Sequence, residues 1–472
     1  MPPHQHLGDE DRLSTLTDDI LLSILGRVSS CMAARTGVLS TRWKHLPWLL
    51  PELSIDVKDF LSVPSPDPTE ADAMEKAMMS LTKATKNFLA DHRRESTISS
   101  LHLNLYLINN FLCEVGSLVG DAVDSGLLKD LDPAITDETA PRDCSEVYMV
   151  QRGKEIDGFF SACPSVLHCL TKLSLRNLCF IELDMHHILF DCCKQLKHLS
   201  LYQCDTGASS LFMIDAPNSK VSVLELTLCR FVRLEVVCLP KLEKLSWDTW
   251  MSPDMPLAIG FAQSLGELEL SCGAVCANSG TKLSELLHAT RGIHTLSLGF
   301  QGENIWLQTE TKQLCTAFNK LRKLSVQGIF VEFDILWTTA FLVAAPSIEL
   351  LQIEVWEHPC DEEDLTDEDR RRTNSERRNP QWDMDFDNSK NWLLKELEFV
   401  GFRSLEQQFT FIRSVLERSP NLQKIFLKDD EECSFCAALG APSKFPKKDD
   451  QEMIIRRITD GIFSPQIIFD KL

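Results

Sequence analysis

Residues 170–201 read LTKLSLRNLCFIELDMHHILFDCCKQLKHLSL, and one hexamer, Leu-x-x-Leu-x-Leu, opens and closes the stretch as Leu170-Leu173-Leu175 and Leu196-Leu199-Leu201. The last two leucines alternate with polar residues, as in a short strand that turns one face inward. The hexamer recurs as Ile98-Leu101-Leu103, Val221-Leu224-Leu226, Leu242-Leu245-Trp247, Leu265-Leu268-Leu270, Ile293-Leu296-Leu298 and Leu321-Leu324-Val326. It returns again as Ile348-Leu351-Ile353, Leu394-Leu397-Phe399 and Leu422-Ile425-Leu427. Successive starts from 170 to 348 lie 26, 25, 21, 23, 28, 28 and 27 residues apart. Leucines scattered through an ordinary α/β chain would give one or two such hexamers, not a run with this spacing. No single copy buries its own leucines, so each needs stacked neighbours and the segment reads as a solenoid.

The spacing falls in the leucine-rich-repeat range of about 20 to 29 residues. The expected fold is therefore α/β: an N-terminal helical module, then a curved parallel sheet with helical or irregular outer segments. Cys204 and Cys229 follow two hexamers at the position where a small buried side chain fits. The strand residues between the leucines face the other way, which makes Lys172, Arg176, His198, Tyr202, Lys244, Asp248, Glu267, Glu269, Lys323 and Gln327 candidates for holding a target protein. Their mixed charge suits a folded or peptide partner. Two stretches break the rhythm: Pro64–Asp72, rich in proline and acid, reads as a linker, and Pro359–Asn391 as a charged mobile insertion. Between the first of these and the repeats, Met74, Ala77, Met78, Leu81, Thr85, Phe88 and Leu89 predict a helix over Ala73–Ala90.

Residues 11–53 differ in kind. Thr17 is placed to cap a first helix and Ser30 a second, with Asp18 and Asp19 at the positive end of the first helix dipole. Ile20, Leu21, Ile24, Leu25 and Val28 share one broad stripe, and Ala34, Val38 and Leu39 repeat the spacing before Trp43 and Leu46. Fewer than 50 residues rarely make a core of their own, so part of this surface is expected to meet a partner. The plain alternative is a helical pair packed on the body of the same chain.

The order Leu13, Leu16, Asp18-Asp19-Ile20-Leu21, Arg35, Val38-Leu39-Ser40, Arg42-Trp43 and Leu46 resembles the F-box of plant F-box proteins. Thr17 and Ser29 stand where that family usually has proline. Leu393–Leu427, with Leu405, Phe409, Ile412 and Leu416 on one helix face, resembles the FBD domain found at the C-terminus of many such proteins. Its expected role is to close the last edge of the solenoid. The resemblance implies a substrate-recognition subunit of a Skp-cullin-F-box type ubiquitin ligase. Docking on a Skp-type adaptor, and through it a cullin and a RING subunit, would fall to Leu13, Leu16, Ile20, Leu21, Ile24, Leu25, Leu39, Trp43 and Leu46. A repeat scaffold that recruits nothing for degradation is the alternative reading. The expected organisation is a leader 1–10, F-box 11–53, linker and helix 54–97, repeats 98–357, insertion 358–391, FBD-like repeats 392–430 and a tail 431–472.

Charge and motif content narrow the function further. With 48 Lys+Arg against 69 Asp+Glu the formal net charge is -21, which repels nucleic acid and anionic membrane surfaces at long range. The most apolar stretch, Phe341–Val355, is broken by Pro346 and Glu349 and falls short of a membrane span. Seventeen scattered cysteines and no Asn-x-Ser/Thr sequon predict a reducing compartment, nucleus or cytoplasm. No phosphate loop, dinucleotide fingerprint, zinc-protease helix or nucleophile elbow occurs, so neither an enzyme nor a cofactor is expected. Cys192-Cys193 near His186-His187, Cys272 with Cys276, and Cys433 with Cys436 all lack the two paired ligand groups of a structural zinc site, and no metal is predicted.

Overall fold

The computed structural model describes residues 15–61, 71–90, 94, 96–181, 184–207, 211–250, 252, 254–273, 282–288, 290, 292–300, 305–308, 310, 313–331, 333–356, 391–430, 445–459 and 465–470. Two units divide the chain, residues 1–199 and 200–472, and the division falls inside strand β5, His198–Tyr202.

The first unit begins with helices α1 (Asp18–Leu25) and α2 (Ser30–Arg35) and two short 3-10 turns. Four parallel strands follow in chain order, β1 (Glu52–Asp56), β2 (Ile98–Tyr106), β3 (Leu128–Thr136) and β4 (Lys172–Arg176). The predicted helix before β2 is α3, Ala71–Ala90. Strand β1 lies earlier than the repeats were expected to start. Its Leu50, Leu53 and Ile55 fit the hexamer and are fully or almost fully buried. Strand β3 fills the gap left between residues 105 and 165. There the apolar positions are Leu128, Leu131 and Pro133, so a proline replaces the third leucine. Proline brings no N–H to a ladder. Pairing of β2 with β3 runs from Ile98↔Leu128 to Tyr106↔Thr136, whereas β3 meets β4 only at Ala134↔Ser174 and the bridge Leu131↔Leu170.

The second unit stacks parallel strands in the order β7 (Val223–Thr227), β9 (Lys244–Trp250), β11 (Glu267–Cys272), β12 (Thr295–Gly299), β13 (Lys323–Phe330), β14 (Leu350–Trp356), β15 (Glu396–Val400), β16 (Lys424–Lys428) and β17 (Gln466–Asp470). Their register puts Leu224, Leu245, Leu268, Leu296, Leu324, Leu351, Leu397, Ile425 and Ile467 side by side in one row. All but Ile467 are buried. Each such side chain contributes about 2 kcal/mol of hydrophobic stabilisation.

Two expectations are corrected in this unit. Part of the outer return was expected to be helical or irregular, yet β6 (Leu211–Asp215), β8 (Arg233–Cys238) and β10 (Leu257–Phe261) form a second parallel sheet in the order β10-β8-β6. These returns belong to the shortest repeat steps, and an extended chain crosses a given distance with fewer residues than a helix. Phe212 and Ile214, Leu234 and Val236, and Leu257 and Ile259 turn inward from it. The second correction concerns Leu393–Leu427, which does not end the sheet, because β17 pairs with β16 beyond it. Ile467 and Phe469 supply only the alternating part of a hexamer. The helix Glu406–Arg418 buries Phe409, Ile412 and Leu416 as expected, but Leu405 precedes it and is exposed.

Candidate docking surfaces

The helical module is held together locally. Thr17 makes no side-chain cap; the second cap is Ser29, whose hydroxyl accepts from the Met32 N–H at 3.3 Å. Ser30 is buried instead, and its Oγ accepts from the Ser54 N–H at 2.8 Å, which fastens α2 to β1. Arg42 donates through Nε and Nη2 to Asp18 Oδ1 at 2.8 and 2.6 Å and through Nη2 to the Leu16 carbonyl at 2.6 Å. The loop bearing Trp43 is thereby drawn to the start of α1.

The stripe read as one face is two. Leu21 and Leu25 are buried, together with Trp43 and Leu46. These four are corrected as surface contacts, because a side chain sealed in its own chain meets no partner without unfolding. One residue round the helix, Ile20 and Ile24 are 47 and 40% exposed, and Val28 in the bend after it is 46% exposed. Met32, Val38 and Leu39 add 50, 88 and 65%. Among the predicted docking residues, Ile20, Ile24 and Leu39 therefore lie open and Leu16 is half-buried. Leu13 lies outside the described residues. Met32 and Val38 were missed as site residues, since neither continues the stripe of the first helix. A group of large apolar side chains left this open is the usual mark of an interaction surface.

The second candidate surface is the set of strand residues that alternate with the leucines. In the first unit Lys172 is exposed and Arg176 and His198 half-buried. Lys172 Nζ lies 3.9 Å from Asp132, which also pairs with His102 Nδ1 at 2.8 Å and accepts from Thr171 Oγ1 at 2.6 Å. Burial works to raise the Asp132 carboxyl, but the bonds from His102 and Thr171 and the charges of His102 and Lys172 hold it below its ordinary range. The pairing of His102 with Asp132 was missed because the Pro133 hexamer hid β3, which carries Asp132.

In the second unit Glu267 and Lys323 are exposed, and Tyr202, Lys244, Asp248, Glu269 and Gln327 half-buried. Lys244 meets Glu225 at 3.1 Å, and Glu269 accepts from Ser246 Oγ at 3.1 Å. Burial would lower the Lys244 ammonium; the Glu225 bond and the charges of Glu225, Glu269 and Glu267 raise it instead. Gln327 donates to Ser325 Oγ at 2.9 Å. Further along, Lys428 pairs with Glu398 at 3.1 Å, and the half-buried Phe426 ring lies 6.0 and 5.7 Å from the ammonium groups of Lys424 and Lys428.

Among the described residues no group of three or more His, Cys, Asp or Glu is arranged to hold a metal ion, and no helix is long and apolar enough to cross a membrane. Cys276, Cys433, Cys436 and nearly all of the charged insertion lie outside the described residues.

Residues 161–453, more than half of the chain, match a family described as At1g61320/AtMIF1, LRR domain. The Arabidopsis thaliana F-box/LRR-repeat protein At5g02910 is 25% identical over 334 residues, 68% of this chain and 61% of its own length. The F-box/FBD/LRR-repeat protein At2g04230 from the same plant is 27% identical over 221 residues, 46% of this chain and 48% of its own. A third Arabidopsis protein, F-box/FBD/LRR-repeat protein At5g53840, is 43% identical over 55 residues, 12% of each chain. The match thus spans less than two thirds of the first relative's length.

Proposed function

The chain belongs to the At1g61320/AtMIF1 leucine-rich-repeat family of plant F-box/LRR proteins, and on that premise we propose that it is the substrate-recognition subunit of a Skp-cullin-F-box type ubiquitin ligase. The observation that carries the reading is the set of open apolar side chains Ile20, Ile24, Val28, Met32, Val38 and Leu39 on a helical module whose Leu21, Leu25, Trp43 and Leu46 are buried. Large apolar side chains left open beside buried ones suit a docking module. It would bind a Skp-type adaptor, and through it a cullin and a RING subunit, in the nucleus or cytoplasm.

In such a complex the chain itself forms no bond. The target's lysines are held near a charged carrier, so that an encounter between two molecules becomes effectively intramolecular. Target contacts fall to the polar strand faces: Lys172, Arg176 and His198 in the first unit, and Tyr202, Lys244, Asp248, Glu267, Glu269, Lys323 and Gln327 in the second. Mixed and mutually paired charges there favour specificity over raw affinity.

Binding of the purified full chain to a Skp-type adaptor tests the reading. Ile20→Asp with Ile24→Asp is expected to weaken binding by about 2 kcal/mol or more while circular dichroism stays unchanged. Full retention of the adaptor by that folded double variant would overturn the assignment.

A further inference from the structure

Cys192, His187 and Asp191 form a constellation that adaptor and target binding leave unused. Residues His187–Cys192 form a π-helical turn, a rare geometry that often marks functional positions. The wider turn brings the side chains four and five residues on from His187 to opposite edges of its ring. Asp191 Oδ2 lies 3.2 Å from His187 Nδ1, and Cys192 Sγ lies 3.5 Å from Nε2. A carboxylate only accepts, so Nδ1 carries the hydrogen and Nε2 is left to take the thiol proton. Asp184 Oδ1 accepts from the His187 backbone N–H at 2.9 Å and fixes the start of the turn. His186 Nδ1 stands 3.9 Å from the same Asp191 oxygen. Cysteine, base and orienting carboxylate in this order are the arrangement that activates a nucleophile. The two ring nitrogens point to different partners, so the three groups do not converge on one metal ion.

We propose that Cys192 is a hydroperoxide-reactive thiol, with His187 as its base and then as the acid for the departing oxygen. His187 takes the thiol proton, and the thiolate attacks one peroxide oxygen. The S–O bond forms as the O–O bond breaks. Sulfur is oxidised by two electrons to the sulfenic acid and the peroxide is reduced by the same two. The proton on His187 goes to the leaving hydroxide, which departs as water. The adjacent Cys193 is buried, and burial pushes its thiol up to about 12, so Cys192 is the sulfur of the pair that meets the peroxide.

Exposure alone ranks the thiols differently, because Cys113 and Cys315 are exposed while Cys192 is half-buried. The full chain is treated with limiting hydrogen peroxide, trapped with dimedone and read by peptide mass spectrometry. Cys192 is expected to be trapped before Cys113 and Cys315. His187→Gln is expected to slow Cys192 about tenfold or more and leave Cys113 and Cys315 unchanged; Asp191→Asn should give a smaller loss. An order that follows exposure, or a Cys192 rate indifferent to His187→Gln, overturns the proposal. His187 and Asp191 are both well exposed, and continued protection of the buried Cys204 and Cys229 reports that the fold is kept.

Discussion

The helical module and the strand array of the second unit carry apolar residues in comparable density, yet they distribute them differently. In β7, β14, β15 and β16 burial alternates residue by residue, so sequence position alone tells inside from outside. In α1 the rows Leu21-Leu25 and Ile20-Ile24 are adjacent on the helix, and one is sealed while the other is open. A strand has two faces half a turn apart, whereas a helix grades continuously from one to the other. Period therefore assigns faces in a sheet, and only a tertiary neighbour assigns them on a short helix.

The sharpest way to break this comparison is to truncate one residue of each kind. Leu324→Ala is expected to cost about 3 kcal/mol, since it opens a cavity between two strands. Ile24→Ala is expected to cost under about 1 kcal/mol despite its comparable size. Urea denaturation followed by circular dichroism reads both, and equal losses would abolish the distinction between sealed and open rows.

A second test sharpens the polar side of the array. The Asp132 carboxyl is depressed in the folded chain, so its stabilising effect is present above the ordinary carboxylate value of about 3.9 and is lost as pH falls through the depressed folded value. Asp132→Asn should flatten the drop in urea midpoint between neutral and acid pH. An unchanged pH slope would mean that His102 and Thr171 do not favour the charged form.

The smallest expected effect lies in the module. Arg42 and Asp18 are both substantially exposed, and a double-mutant cycle to alanine should give a coupling of about 0.5 kcal/mol. A coupling near zero would leave the Leu16 carbonyl bond as the tether of that loop.

The hexamers disclosed the strand row because a repeat unable to bury itself must recur. What stayed hidden did so for specific reasons. Pro133 replaced a leucine and concealed β3, and with it the His102–Asp132 pair. β1 carried a full hexamer in a stretch already read as the end of the helical module. The returns β6, β8 and β10 have alternating apolar residues but no leucine signature. In the helical module Ile20, Ile24 and Leu39 were legible as apolar, but the burial of Leu21, Leu25, Trp43 and Leu46 depended on tertiary packing that no periodicity reveals. The Cys192 arrangement was legible as composition only, since an α-helical turn would carry Cys192 away from His187.

The proline in β3 also has a mechanical meaning. Where backbone rungs are few, a solenoid leans more on its side chains, and such a junction yields under shear more readily than a full ladder. Between Leu131 and Ala134 on one side and Leu170 and Ser174 on the other, the first unit has such a seam. Under tension along the stacking direction, β3 and β4 would part before β2 and β3, which pair along their whole length.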